Sequence, residues 1–145
     1  RIRKISPPSS SKLLSRLEKE GILNRENEKN YIYYLANKDN EVFVNLSRIY
    51  WLLQFRKIGI IDYLEKELIN PLIILFGSFS KAEIKEDSDI DIAIFAVSNK
   101  KLNITDFEKT LNRKIQLFMF KNQQEVENQD LLKNILNGFI VSGGW

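Results

Sequence analysis

One segment constrains the fold more than any other: an apolar run, a Gly-Ser pair and an alternating Asp-Ile-Asp run. Residues 72–76 are continuously apolar, which predicts a buried strand at the centre of a sheet. Gly77 and Ser78 follow at once and predict a tight turn whose backbone N–H groups can face an anion. Ten residues later Asp89 and Asp91 alternate with isoleucines, so a strand here projects both carboxylates from one face.

This pattern indicates a particular kind of chemistry. Two carboxylates on one strand face, opposite a turn that can cradle phosphate, suit a Mg²⁺ ion held against a triphosphate. The sequence contains no Cys and no His. Thiolate catalysis, disulfides, a Ser-His-Asp triad and the usual zinc sites are therefore excluded. The remaining carboxylates, hydroxyls, lysines and backbone dipoles favour a magnesium-carboxylate site.

The spacing of these residues resembles a known family. Gly77-Ser78, ten residues, then Asp89-x-Asp91 is similar to the signature of the DNA polymerase β-type nucleotidyltransferase superfamily, specifically its minimal nucleotidyltransferase branch. The resemblance covers residues 71–145 and includes the apolar strand at 115–120. It implies an α/β (α+β) domain with a small mixed β-sheet.

The resemblance also implies roles for individual residues. Asp89 and Asp91 would be catalytic and would hold Mg²⁺ or Mn²⁺. An acceptor hydroxyl, on a protein or a nucleic acid, would attack the α-phosphorus of an NTP and release pyrophosphate. Some relatives modify a partner toxin in this way, so a protein acceptor of that kind is one expected partner. The residues expected to bind the nucleotide are Gly77, Ser78, Lys81 and Ser88; Lys81 reads equally well as an exposed loop lysine.

Two positions depart from the family pattern. Relatives carry a third carboxylate on the next strand, and the residue that aligns with it here is Gln116. Glutamine is a poorer magnesium ligand and cannot act as a general base, so its presence predicts weakened turnover with nucleotide binding retained. Ala82 stands where relatives often have glycine, and we expect it to cost little if its φ is negative.

The first part of the chain has a different character. Residues 1–60 contain 12 Lys/Arg and 6 Asp/Glu, a net charge of +6, whereas residues 61–145 contain 10 and 13, a net charge of −3. A helix predicted over Ser9–Glu20, a glycine stop, a polar tip and an aromatic strand resemble the last part of a winged helix-turn-helix, over residues 1–37. The resemblance implies DNA binding. Ser9, Ser10, Lys12 and Arg16 would face the major groove, and Arg25 and Lys29 would contact the backbone.

The winged-helix resemblance is partial. The two helices that normally precede the recognition helix are absent, apart from what Ile2–Ile5 could supply, so they either lie upstream of Arg1 or the module is degenerate. The alternative is that helix and hairpin only pack or form a homodimer. Tyr31, Tyr33 and Tyr34 are expected in a core rather than stacked on bases.

Breaks in polarity divide the chain into three segments: a partial winged helix at 1–42, connecting helices at 43–70 and a nucleotidyltransferase-like domain at 71–145. Helices are predicted at 45–57, 60–69, 78–82 and 105–111, helical pieces between 123 and 137, and strands at 72–76, 90–96 and 114–120. The longest apolar runs are too short to cross a bilayer and no signal peptide opens the sequence, so we expect a cytoplasmic protein without membrane contact.

The sequence leaves two specific functions open, together with a third option that involves neither. One is Mg²⁺-dependent transfer of a nucleoside monophosphate from an NTP, favoured by the Gly-Ser and Asp-x-Asp motifs. The other is a DNA-binding regulator with a catalytically weakened nucleotide-binding domain, favoured by the charge asymmetry and the winged-helix resemblance. A purely structural interaction domain is the third option.

Overall fold

A computed structural model describes residues 6–98 and 100–144 of the chain. Ile2–Ile5, expected to be a remnant of a preceding helix, lie outside the described residues. The chain divides into two compact units, one ending at Asn45 and the other beginning at Leu46. Along the parts that the structure describes, no helix combines the length and apolar character needed to cross a membrane.

The first unit is a helix followed by a hairpin. Helix α1 (Pro7–Lys19) is capped by Ser6, whose side chain accepts a hydrogen bond from the Ser9 N–H, and it has prolines in the first turn. Strands β1 (Leu23–Glu28) and β2 (Tyr31–Ala36) pair antiparallel. The two residues between them, Lys29 and Asn30, both have positive φ, 46° and 69°, as a two-residue hairpin turn requires.

The tyrosines of β2 do not form the expected core. Tyr31 is 68% exposed and Tyr33 is 47% exposed, so the prediction of burial is wrong for both. Tyr34 is partly buried, and its hydroxyl lies 3.4 Å from the Ser15 hydroxyl of α1. A two-stranded sheet with one helix has too few layers to bury both of its faces.

The second unit is a mixed sheet with helices. The long helix α2 (Glu41–Ile58) leads into it, and its elements are then α3 (Ile60–Glu67), β3 (Leu72–Phe76), α4 (Gly77–Ser80), β4 (Ile90–Phe95), α5 (Thr105–Leu111), β5 (Ile115–Phe120), a 3₁₀ turn (Gln123–Glu125), α6 (Gln129–Leu136) and β6 (Phe139–Ser142). The strand order is β5-β4-β3-β6. Strand β4 is antiparallel to β3 and parallel to β5, and β6 is antiparallel to β3. This is the small mixed α/β sheet predicted from the sequence.

The central strand places the core on both sides of the sheet. All five residues of β3 are buried, as its apolar run predicts. One face packs Ile73, Leu75 and the isoleucines of β4 against α2 and α3. The other face packs Leu72, Ile74, Phe76, Ala93 and Phe95 near Ile135 of α6. Because side chains alternate along a strand, Asp91 shares this second face with Ala93 and Phe95.

Candidate active site

The turn after β3 is shaped by Gly77. Its φ is +66°, in the left-handed region that favours glycine. The Ser80 hydroxyl, almost completely buried at 1% exposure, donates to the Gly77 carbonyl at 2.9 Å. Arg48 Nε of α2 donates to the Ser80 carbonyl at 2.7 Å. The turn is therefore fixed from inside by a serine and from α2 by an arginine, neither of which the sequence motif singled out.

The carboxylate of Asp91 lies directly against this turn. Asp91 pairs with Phe76 across β3 and β4, so it sits beside the last residue before Gly77. A Cβ built on Gly77 would lie only 2.3 Å from Asp91 Oδ2. Any larger residue at this position would force the carboxylate to shift from where it lies. Partial burial raises the pKa of the Asp91 carboxyl above its ordinary value, and the neighbouring Asp89 charge raises it further.

Asp89 is held from the adjacent strand by Gln116. Gln116 Nε2 donates to Asp89 Oδ2 at 2.7 Å. In the parallel register of β4 and β5, Gln116 pairs with Asp91, so its side chain lies on the same face as the two aspartates. Gln116 therefore lies beside the carboxylate pair, at the position where the sequence resemblance implies a third carboxylate.

These residues fit a divalent cation. Carboxylate oxygens are the preferred ligands of Mg²⁺, and a bound cation would offset both the partial burial and the Asp89 charge that raise the pKa of Asp91. Within residues 6–98 and 100–144, no group of three or more His, Cys, Asp or Glu side chains could hold a metal ion. The candidate ligands are thus the two carboxylates, and the Gln116 amide beside them presents an N–H group to Asp89.

The other predicted nucleotide-binding residues lie around the turn with partners of their own. The exposed Lys81 directs its Nζ to Asn134 Oδ1 of α6 at 3.3 Å. The Ser88 hydroxyl accepts from the Lys85 N–H at 2.8 Å and so closes the loop before Asp89. Ala82 has a φ of +57°, so the condition for it to cost little, a negative φ, is not met. An L-residue in this conformation adds strain to the loop.

The loop before Asp89 also has an anchor that the motifs do not reveal. The Arg113 guanidinium reaches back from the start of β5 to the backbone carbonyls of this loop. No spacing rule links an arginine to carbonyls 25 or more residues earlier, so only the folded chain brings them together.

The residues predicted to contact DNA belong to the first unit. Along α1, Ser9, Lys12 and Arg16 recur at helical spacing and are exposed, whereas Ser10 is partly buried and donates to the Ser6 carbonyl at 3.2 Å. Arg16 also pairs with Glu20 at 2.8 Å. The exposed Arg25 and Lys29 lie on β1 and in the hairpin turn.

The mixed sheet, the glycine turn and the carboxylate pair beside it form the arrangement that the sequence resemblance predicts for a nucleotidyltransferase fold. Residues 59–141, more than half of the chain, match the family described as Polymerase beta, Nucleotidyltransferase. The chain belongs to this family, and its function is of the nucleotidyltransferase type. No curated protein and no solved structure matches the chain significantly.

Proposed function

We propose that this protein transfers a nucleoside monophosphate from an NTP to a hydroxyl group of a protein or nucleic acid, with Mg²⁺ or Mn²⁺ as cofactor. The observation that carries the proposal is the contact between the Asp91 carboxylate and the Gly77 turn, where a Cβ would lie 2.3 Å from Oδ2. The Gly-Ser turn and the Asp-x-Asp pair, which the loop separates in the sequence, thus lie at the same end of neighbouring strands.

In this proposal each residue has a limited task. Asp89 and Asp91 hold the divalent cation, which when bound neutralises charge on the phosphates. The Gly77 turn and Ser78 bind the triphosphate, and the site aligns the acceptor oxygen with the α-phosphorus. A new oxygen–phosphorus bond forms, the bond to the pyrophosphate oxygen breaks, and the hydroxyl proton passes to water, since Gln116 cannot accept it.

A second function is favoured by Gln116. General-base catalysis is worth about 10² to 10⁴ in rate, so a glutamine at this position supports a domain that binds nucleotide and turns it over slowly. Together with the basic first unit, this gives a DNA-binding regulator whose nucleotide-binding domain has a weakened reaction. Both functions need the same carboxylate pair, and they differ in how much nucleoside monophosphate is transferred.

One experiment separates the two. Labelled NTPs, Mg²⁺ or Mn²⁺ and cell extract are incubated with the wild type and with the Asp89→Asn, Asp91→Asn double variant, which keeps the side-chain shapes and removes both charges. We expect label transfer by the wild type and none by the double variant. Asp87→Asn, in the exposed part of the loop, is the matched control and should transfer as the wild type does.

A third variant measures the effect of Gln116. Gln116→Asp restores a carboxylate at this position, and we expect transfer to rise by about 10² or more, in line with the usual contribution of a general base. Nucleotide binding without transfer in both the wild type and Gln116→Asp would favour the regulator instead. Absence of nucleotide and cation binding in the wild type would contradict both functions.

A further inference from the structure

The loop that delivers Asp89 to the site is held by one side chain. Arg113 Nη1 donates to the backbone carbonyls of Lys85 at 3.0 Å, Glu86 at 3.1 Å and Ser88 at 2.8 Å. The loop is also closed on itself, because the Lys85 N–H donates to the Ser88 hydroxyl and the Ser88 N–H to the Lys85 carbonyl. Arg113 thus ties an internally closed loop to the start of β5.

The same guanidinium contacts the other half of the site. Arg113 Cζ lies 5.5 Å from the centre of the Phe79 ring, within the range of a cation–π interaction. Phe79 is completely buried and belongs to α4, the turn that also contains Gly77 and Ser78. One side chain therefore touches both segments whose spacing defines the site.

Arg113 is itself firmly placed. Its N–H donates to the Glu108 carbonyl at 3.2 Å, after Asn112 ends α5 with a φ of +50°. Glu108 Oε1 in turn accepts from the Ile115 N–H at 2.9 Å. The anchor of Arg113 is thus the junction of α5 and β5, the strand that carries Gln116.

We propose that Arg113 is a positioning residue of the cation site: by holding the 85–88 loop and Phe79 at once, it sets the distance between Asp89 and the Gly77 turn. This inference rests on the proposed function, since it assumes that the carboxylate pair binds a cation. In this inference Arg113 acts on the site without touching the cation. Its removal is then expected to weaken cation binding, whereas the loss of its positive charge alone would strengthen it.

Electrostatics and positioning predict opposite changes in cation affinity when the Arg113 side chain is removed. Removing a positive charge near a cation site should by Coulomb's law strengthen cation binding. Loss of positioning should weaken it, by about tenfold or more if it resembles the loss of other groups that orient metal ligands. The dissociation constant for Mn²⁺ alone, measured by electron paramagnetic resonance, is therefore compared between the wild type and Arg113→Ala. Mn²⁺ without nucleotide avoids any direct contact of Arg113 with phosphate.

Three further variants isolate the effect. Lys114→Ala removes an exposed positive charge from the adjacent residue and should leave Mn²⁺ binding unchanged or slightly tighter. Arg113→Lys keeps the charge and three N–H donors, but it has no planar guanidinium to lie over the Phe79 ring, so it should weaken binding, though less than Arg113→Ala does. Val141→Ala, in the core on β6, lowers stability away from the loop and should bind Mn²⁺ as the wild type does.

Backbone amide exchange at residues 85–89 reports the loop directly. We expect faster exchange there in both Arg113 variants and none of this change in Lys114→Ala or Val141→Ala. Arg113 variants that bind Mn²⁺ as tightly as the wild type, or more tightly, would overturn the inference and leave the proposed function standing. A wild type that binds no Mn²⁺ would overturn both.

Discussion

Gly77 shows how a missing Cβ shapes this site. Three described glycines of the second unit have positive φ: Gly59 at +81°, Gly77 at +66° and Gly143 at +80°. A Cβ on Gly59 would meet nothing within 4 Å, whereas one on Gly77 would meet the Asp91 carboxylate. An alanine would have a left-handed backbone at either position, but only at Gly77 would its Cβ meet the Asp91 carboxylate.

We expect Gly77→Ala to weaken Mn²⁺ binding by the carboxylate pair, because the new methyl group forces the Asp91 carboxylate to shift. Gly59→Ala is the matched control: both substitutions should lower the free energy of unfolding by about 1–2 kcal/mol for a left-handed L-residue. Calorimetric titration with Mn²⁺ and chemical denaturation measure the two effects. Equal Mn²⁺ affinity in the two variants would show that the Gly77–Asp91 contact is not needed.

Whether a site residue could be predicted depends on how far apart in the sequence its contacts lie. Asp89, Asp91 and Gly77 were predicted because a strand period and a turn residue are local properties. Gln116 followed from strand order and was found in register with Asp91. The Arg113 contacts and the positive φ of Ala82 depend on how the loop folds back, and no local pattern encodes that.

Among the elements, strands with a clear hydrophobic pattern were predicted to within one residue, and the strand without such a pattern was missed. The predicted strand at 72–76 has the observed bounds, and those at 90–96 and 114–120 each run one residue too long. Strand β6, Phe139–Ser142, was not predicted, because four residues are too few to establish a period. Helix α2 begins at Glu41 rather than 45, since Asn40 Oδ1 accepts from the Val42 N–H at 2.8 Å and caps it.

One carboxylate joins three elements and makes stability depend on pH. Glu65 Oε1 of α3 accepts from Arg56 Nη2 of α2 at 3.0 Å and from the Ser142 hydroxyl of β6 at 2.5 Å. These donors, Arg56 first, hold the pKa of the Glu65 carboxyl below its ordinary value. A lowered pKa in the folded state stabilises the fold above the unfolded value of about 4.3. That contribution is lost as the pH falls through the folded value.

We therefore expect Glu65→Gln to be less stable than the wild type at pH 7 and the difference to vanish in acid, below the folded pKa. The Arg56 and Glu65 side chains are 41% and 36% exposed, so solvent screening keeps the ion pair's share below about 1 kcal/mol. Urea denaturation from pH 7 to pH 3 measures the difference. Glu127→Gln is the control, an exposed carboxylate without a hydrogen bond or ion pair in the described chain. A difference that persists unchanged at pH 3 would contradict this.

The whole molecule separates its charge along the chain. Residues 1–60 have a net charge of +6 and residues 61–145 a net charge of −3, so the net charge of +3 is the sum of two segments of opposite sign. An acidic carboxylate site suits a cation and its nucleotide, whereas the basic segment 1–60 suits a polyanion. If the first unit binds DNA, its contacts to phosphate release counterions and its affinity falls with salt.

We expect binding of a random-sequence DNA duplex to weaken steeply between 50 and 200 mM salt, as multiple phosphate contacts require. Lys12→Ala and Arg16→Ala should each reduce the slope of log affinity against log salt by about 1 and weaken binding uniformly across sequences. Lys101→Ala removes an exposed lysine from the acidic part of the chain and should leave the slope unchanged. Fluorescence anisotropy over a salt series measures all three. Equal slopes in all variants would exclude α1 as the DNA contact, because a lysine or arginine that binds phosphate always contributes to counterion release.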